Sequence, residues 1–239
     1  MKYTFTVVLM LSLAVSSAFA QYQAVGKVKN SLHDLSSGST ATVKSSDFNQ
    51  ICAFCHVAHK GATAPAGVQT PLWNHTLTST NFSTSYSSST FTPLGTGITA
   101  LGAGTWSSAT TSHLCLSCHD GTVGVNSVYK FATPTVGAIA SHTDASSRLL
   151  SNANLGTDMS SSHPVNFLMD QTTWTIKNTH IVGVNTTTHA TTGTTALPLD
   201  SNNKLQCATC HQVHDPTNTY FLRDSLTGSA ICLDCHLNT

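Results

Sequence analysis

At its first pair of cysteines the chain reads Cys52-Ala53-Phe54-Cys55-His56, a copy of the pattern Cys-x-x-Cys-His. The pattern occurs four times and uses all eight cysteines of the 239-residue sequence. The other copies are Cys115-Leu116-Ser117-Cys118-His119, Cys207-Ala208-Thr209-Cys210-His211 and Cys232-Leu233-Asp234-Cys235-His236. This pentapeptide is the attachment site of a c-type haem, with two thiols bonded to the porphyrin and the histidine reaching the iron. The sequence therefore predicts four covalently bound c-type haems.

Two other uses of paired cysteines compete with haem attachment. An exported chain with an even number of cysteines can be a disulfide framework, and two Cys-x-x-Cys knuckles about 15 to 20 residues apart can bind zinc. Neither use requires a histidine directly after every pair, and only the third and fourth copies come near the zinc spacing. The pattern favours haem over both alternatives.

Histidines are unusually numerous, with 13 in the chain against 10 Asp and Glu together. Four of them belong to the motifs and are the expected proximal ligands: His56, His119, His211 and His236. Nine remain, which is enough to supply a second, distal histidine to every iron. Ligation by two histidines fills the iron's coordination sphere and suits electron transfer rather than substrate turnover.

The distal candidates are His33, His59, His163 and His214. His59 and His214 each follow a proximal histidine by three residues, so on a helix the two rings share a face. Two ligands of one iron lie on opposite sides of the haem, so each of these histidines is expected to bind a different haem from its neighbour's. His75 and His142 are weaker candidates, and His113, His180 and His189 are expected at the surface. Among the methionines of the predicted mature chain, Met159 and Met169, neither is preferred as a ligand.

The first 20 residues resemble a cleaved secretory signal peptide. Lys2 precedes an apolar stretch over residues 5–15 that is too short to cross a bilayer, and Ala18-Phe19-Ala20 fits the cleavage pattern. We therefore expect export, and a single tetrahaem domain over residues 21–239. Formal net charge is zero, and the absence of a basic patch argues against nucleic acid as a partner.

The composition predicts little regular structure. The chain has no Glu, only 8% charged residues, and many Ser, Thr and Gly, which disfavours long solvated helices. We expect a mostly coil fold with a few short helices and minimal strand, wrapped around the four haems as its core. Short helices are predicted over 47–59, with Asp47 as a cap, and around 206–213 and 229–236. Residues 76–112 read as loop, and 172–200 as one or two short strands or a hairpin.

The order of motifs along the chain resembles a known family. Ser-Leu-His-Asp-Leu-Ser at 31–36, Pro-Leu-Trp-Asn-His at 71–75 and Ser-His-Pro-Val at 162–165 flank the four haem motifs. The series is similar to the multihaem cytochromes of metal-reducing bacteria that polymerise into extracellular filaments, most of all to the tetrahaem OmcE-type members. The resemblance implies a coil fold around a continuous haem chain, with identical subunits as partners. It also implies that His33 ligates a haem in the neighbouring subunit.

Three functions follow from these expectations. The leading one is extracellular electron transfer through a conductive filament that accepts electrons from other cytochromes and passes them to acceptors such as metal oxides. The alternative is a soluble periplasmic tetrahaem shuttle. A haem reductase needs an iron with an open position, and the surplus of histidines disfavours one. We therefore expect no enzymatic activity.

Overall fold

The computed structural model describes residues 27–61, 72–79, 111–169 and 181–237. In these ranges most of the chain is turn and coil, as the composition predicts, with a few short helices and little strand. The predicted signal peptide over 1–20 and His180 lie outside the described residues. Within the described ranges, no helix has the length and apolarity that crossing a bilayer requires.

Every haem motif coincides with a helix or a helical turn. Helix α1 spans Thr111–His119, α2 spans Cys207–Cys210 and α3 spans Ala230–Leu233. The first motif forms a 3₁₀ turn over Cys52–Phe54. Further 3₁₀ turns lie at Ser151–Ala153, Thr219–Phe221 and Thr227–Ser229.

The strands are two residues long and form two separate antiparallel pairs. Strand β1, Phe167–Leu168, pairs with β4, Lys204–Leu205. Strand β2, Val184–Asn185, pairs with β3, Ala190–Thr191. The second pair confirms the predicted hairpin for the part of 172–200 that is described.

Two local predictions were wrong. The helix over 47–59 is only the 3₁₀ turn at Cys52–Phe54, and its N-cap is Ile51 without a side-chain bond. Asp47 does not cap it, because its carboxylate accepts hydrogen bonds from the backbone and hydroxyl of Thr135 instead. Helix α1 was missed, since it falls partly in a Ser- and Thr-rich stretch that lacks a helical pattern.

Among the described residues, the buried apolar side chains form three small clusters. One cluster surrounds β1 and β4, one joins Leu116 to Met159, and one lies behind the second motif: Val125, Val136 and Leu149. Met159 and Met169 are both buried in these clusters.

Candidate haem-binding site

Three of the four motifs share one local hydrogen bond that places the histidine on the same face as its cysteines. The backbone amide of the histidine donates to the carbonyl of the first cysteine four residues earlier. The distances are 2.8 Å for His56, 3.0 Å for His211 and 2.8 Å for His236. Residues three and four apart in a helical turn are neighbours on its surface. Both thiols and the imidazole therefore face the same side, as covalent attachment with ligation requires.

Each of three proximal histidines has a distal candidate facing it. The ring centroids lie 6.0 Å apart for His56 and His214, 6.2 Å for His33 and His119, and 6.4 Å for His163 and His236. Two imidazoles bonded to opposite sides of one metal ion at about 2.0–2.1 Å have centroids roughly 6 Å apart. The separations therefore fit one iron between the rings of each pair. The residues of these sites fit the cofactor that the motifs imply.

The histidine side chains are also oriented for ligation. The Nδ1 of His119 donates to the carbonyl of Ala153 at 2.7 Å, and the Nδ1 of His211 donates to that of Tyr220 at 2.8 Å. A carbonyl only accepts, so these bonds place the proton on Nδ1 and leave the Nε2 lone pair for iron. His163 makes the same kind of bond to its neighbour Pro164 at 2.9 Å.

Three buried polar atoms of the described residues have no hydrogen-bond partner: His33 Nδ1, Trp73 Nε1 and Asp234 Oδ2. Each belongs to a haem motif or to a side chain packed against one. The His33 ring faces His119, the Trp73 ring lies edge-on to His56 at 6.3 Å, and Asp234 is inside the fourth motif. Buried polar atoms are nearly always bonded in native proteins. The unbonded nitrogens of His33 and Trp73, beside the second and first motifs, fit sites whose remaining partner is the haem.

The pKa of His33 is strongly lowered. Burial, and after it the nearby His119, His214 and His211, together lower this pKa to about 4, against the raising effect of a hydrogen bond with the Val213 backbone. Its ring also packs on Phe221 with centroids 4.4 Å apart. The neutral imidazole is the form that binds a metal, so this environment favours ligation.

The other histidines divide into two groups. His59 is exposed. Among the described residues, it makes no ring contact with a proximal histidine. Histidines held by backbone or side-chain oxygens are His75, His113, His142 and His189. His75 is the most buried of them, with its Nδ1 and Nε2 facing the carbonyls of Thr76 and Gly124 at 2.8 Å and 3.0 Å. Both nitrogens of His75, a weaker ligand candidate from the sequence, thus face backbone oxygens.

The eight cysteines are free thiols in the structure, and successive motifs approach one another through them. Burial raises the pKa of Cys118, and the nearby Cys55 raises it further. A hydrogen bond between Cys115 and Cys207 raises the pKa of Cys115. Burial, with Cys207 and Cys232 nearby, raises the pKa of Cys210 to about 11. The first motif is thus close to the second, the second to the third, and the third to the fourth.

Gln206 joins the second and third motifs, a role that no sequence pattern indicates apart from its position directly before Cys207. The Ser112 hydroxyl at the start of α1 donates to Gln206 Oε1 at 2.6 Å and accepts from the Cys207 amide at 2.9 Å. The Gln206 side-chain amide donates to Asp200 at 2.8 Å and to Asn166 at 3.3 Å. Gln206 is 1% exposed, so this network fixes α1 against α2 inside the protein.

The third and fourth motifs match a known sequence family. A family model described as a doubled CXXCH motif covers residues 200–239. The match indicates a c-type haem-binding, cytochrome-like protein. Paired motifs of this kind point to a multihaem c-type cytochrome in electron transfer. No curated protein matches the chain.

Among the described residues, no group of three or more His, Cys, Asp or Glu side chains is arranged to hold a metal ion. The histidines instead face each other in twos, which is the arrangement that haem iron needs from a protein, because the porphyrin supplies the other four ligands.

Proposed function

We propose that the chain is a tetrahaem c-type cytochrome that carries electrons through bis-histidine haems and assembles end to end into an extracellular conductive filament. The observation that carries the electron-transfer proposal is the set of three facing histidine pairs, 6.0–6.4 Å apart. A haem held in this way supplies a reversible one-electron carrier.

The residues of the chain have separate roles in this proposal. The cysteines attach each porphyrin through two thioether bonds, and the histidine of the same motif ligates from one side. His214 ligates the haem of the first motif, His33 that of the second and His163 that of the fourth. His59 is left for the haem of the third motif, opposite His211. With this assignment the first and third motifs exchange their extra histidines.

Two histidines on each iron leave no open coordination position, which is the reason we propose electron transfer rather than an enzymatic reaction. The proximity of successive motifs through Cys55 and Cys118, Cys115 and Cys207, and Cys210 and Cys232 supports a continuous series of haems. Electrons would enter from other cytochromes and leave to extracellular acceptors such as metal oxides.

The filament part of the proposal rests on the resemblance of motif order and concerns His33 in particular. In the structure the segment that carries His33 contacts its own chain: Lys27 forms an ion pair with Asp215 at 2.6 Å, and His33 faces His119. If the segment exchanges between subunits, the same contacts would form at the boundary between them. A coordination bond made in trans would couple polymerisation to haem ligation.

Electron microscopy of native holoprotein sheared from the cell surface tests the filament proposal. Filaments with haems in contact across subunits are expected, and discrete monomers would favour the soluble periplasmic shuttle. The variant His33→Ala tests the trans ligand: filaments that still form with every haem low-spin would exclude that role for His33.

A further inference from the structure

Residues 72–79, which we call the strap, pair with the first haem motif along its backbone. The Val57 amide donates to the Leu72 carbonyl at 2.8 Å, and the Asn74 amide donates to the Cys55 carbonyl at 2.9 Å. His56 and Trp73 are bridge partners between these bonds. The strap thus runs antiparallel to the part of the motif that carries the second cysteine and the proximal histidine.

The Asn74 side chain adds a second attachment to the same motif. Its Nδ2 donates to the Ala53 carbonyl at 2.5 Å, while its Oδ1 accepts from the Lys130 amide at 2.8 Å. The residue is 0% exposed, and its own carbonyl accepts from Tyr129 at 2.6 Å. Only a side chain of this length that carries both a donor and an acceptor can bond the Ala53 carbonyl and the Lys130 amide together.

The following residues of the strap attach to the second motif. His75 is 1% exposed, and its Nε2 lies 3.4 Å from Cys118 Sγ and 3.0 Å from the Gly124 carbonyl. The Thr78 amide donates to the Ser117 hydroxyl at 3.2 Å, and its carbonyl accepts from His113 Nε2 at 2.9 Å. Ser117 and Cys118 are both inside the Cys-x-x-Cys-His sequence of α1.

Adjacent residues of the strap therefore hold different motifs. Asn74 contacts the first motif and His75 the second, and their Cα atoms are separated by one peptide unit of about 3.8 Å. Because both side chains are buried among these contacts, the two attachment sites cannot shift relative to each other without disrupting one of them.

We propose that the strap is a spacer that sets the separation and mutual orientation of the haems attached at the first and second motifs. Asn74 and His75 act in it as positioning residues that touch no iron. The inference rests on the proposed function, since it requires haems at both motifs. Its consequence is that the electronic contact between these two haems is determined by residues outside every haem motif.

The experiment is circular dichroism of the holoprotein in the Soret region, where neighbouring haems give a coupled signal that depends on their distance and orientation. Asn74→Leu removes the donor and acceptor but leaves every cysteine and ligand candidate in place. We expect the haem count and the low-spin spectrum to stay unchanged while part of the coupled signal is lost. Thr76→Ala, at an exposed strap position, is the matched control and should keep the wild-type signal.

His75 gives a second, independent comparison that does not depend on the folding of the Asn74 variant. His75→Phe fills the ring volume without a polar contact to Gly124 and should change the coupled signal. His75→Gln restores an N–H donor and should return the signal toward that of the wild type. A signal identical in wild type, Asn74→Leu and His75→Phe, with all haems attached, would overturn the spacer and leave the proposed function standing. A wild-type protein without haem at the first or second motif would instead contradict the proposed function itself.

Discussion

The imidazole rings of His56 and His214 face each other with centroids 6.0 Å apart and an interplanar angle of 34°. His56 is the proximal residue of the first motif, whereas His214 follows the third motif by three residues. The first and third motifs are therefore joined through one candidate iron site. His59 occupies the equivalent position after the first motif, so an exchange of ligands between these motifs is the simplest pairing.

Substitution of His214 tests that pairing. In the holoprotein, His214→Ala should leave one iron with a single axial histidine, because it removes the imidazole that lies 6.0 Å from the His56 ring. One of the four haems is expected to become high-spin in the electronic absorption and electron paramagnetic resonance spectra. His142→Ala is the control, since His142 is exposed and its Nδ1 bonds only to the nearby Ala140 carbonyl at 2.9 Å. An entirely low-spin His214→Ala protein would refute the assignment.

Gln206 should be important for stability although it binds no cofactor. Gln206→Ala leaves the Ser112 hydroxyl proton without its acceptor and the Asn166 Oδ1 without its Gln206 donor. Unsatisfied buried polar groups cost about 1–3 kcal/mol each, so we expect a loss in the free energy of unfolding of about that size. Urea titration followed by far-ultraviolet circular dichroism measures it. Gln50→Ala, at an exposed position, should change stability little, and equal losses in both variants would argue against the network.

Gly193 lies against the backbone of the fourth motif. A Cβ atom at this position would overlap the carbonyl oxygen of Asp234, and that backbone cannot move without moving the attachment site. Gly193→Ala should therefore destabilise the protein by about 1–3 kcal/mol, as overpacking does. Gly137→Ala is the matched control because nothing lies within 4 Å of its added Cβ. The thermal unfolding midpoint of each holoprotein distinguishes them, and no difference between the two variants would contradict the close approach.

Asp47 should contribute to acid sensitivity. Hydrogen bonds from the Thr135 hydroxyl and amide lower the pKa of its carboxyl to about 2, from about 3.9 in an unfolded chain. Between these values the unfolded state takes up a proton that the folded state does not, so stability falls as pH falls from about 4 to about 2. Asp47→Asn removes this titration and should reduce the slope of the unfolding midpoint against pH in that window.

Thr135→Val provides the partner variant for the same bond. It deletes the hydroxyl that contacts Asp47 at 2.5 Å while keeping the backbone donor, so part of the acid dependence should remain. A slope unchanged in Asp47→Asn would show that this carboxylate does not contribute.

The sequence predicts those parts of the structure that depend on local chemistry. The helical turns at 207–210 and 230–233 follow from the attachment motif, in which cysteines and histidine must share a face. Partners distant in the chain were not predictable. The prediction that Asp47 caps a helix was wrong because its carboxylate bonds to Thr135, far along the chain. Helix α1 was not predicted because Ser and Thr give weak helical patterns.

For the candidate ligands, too, local sequence identifies the residues but not their distant partners. The surplus of histidines and their spacing identify which residues are able to ligate, and His33, His163 and His214 face proximal rings in the structure. Their pairing depends on how the coil folds, which no periodicity encodes. The buried contacts of Asn74 and Gln206 were equally invisible, since each is a single polar residue in an unpatterned stretch.

Ligation of every haem iron by two histidines is the basis of the proposed electron transfer. Near-infrared magnetic circular dichroism of the fully oxidised holoprotein, quantified against total haem, measures axial ligation for all haems at once. We expect four haems per chain, all low-spin with bis-histidine ligation. A high-spin fraction, a histidine–methionine signal or fewer than four haems would contradict it.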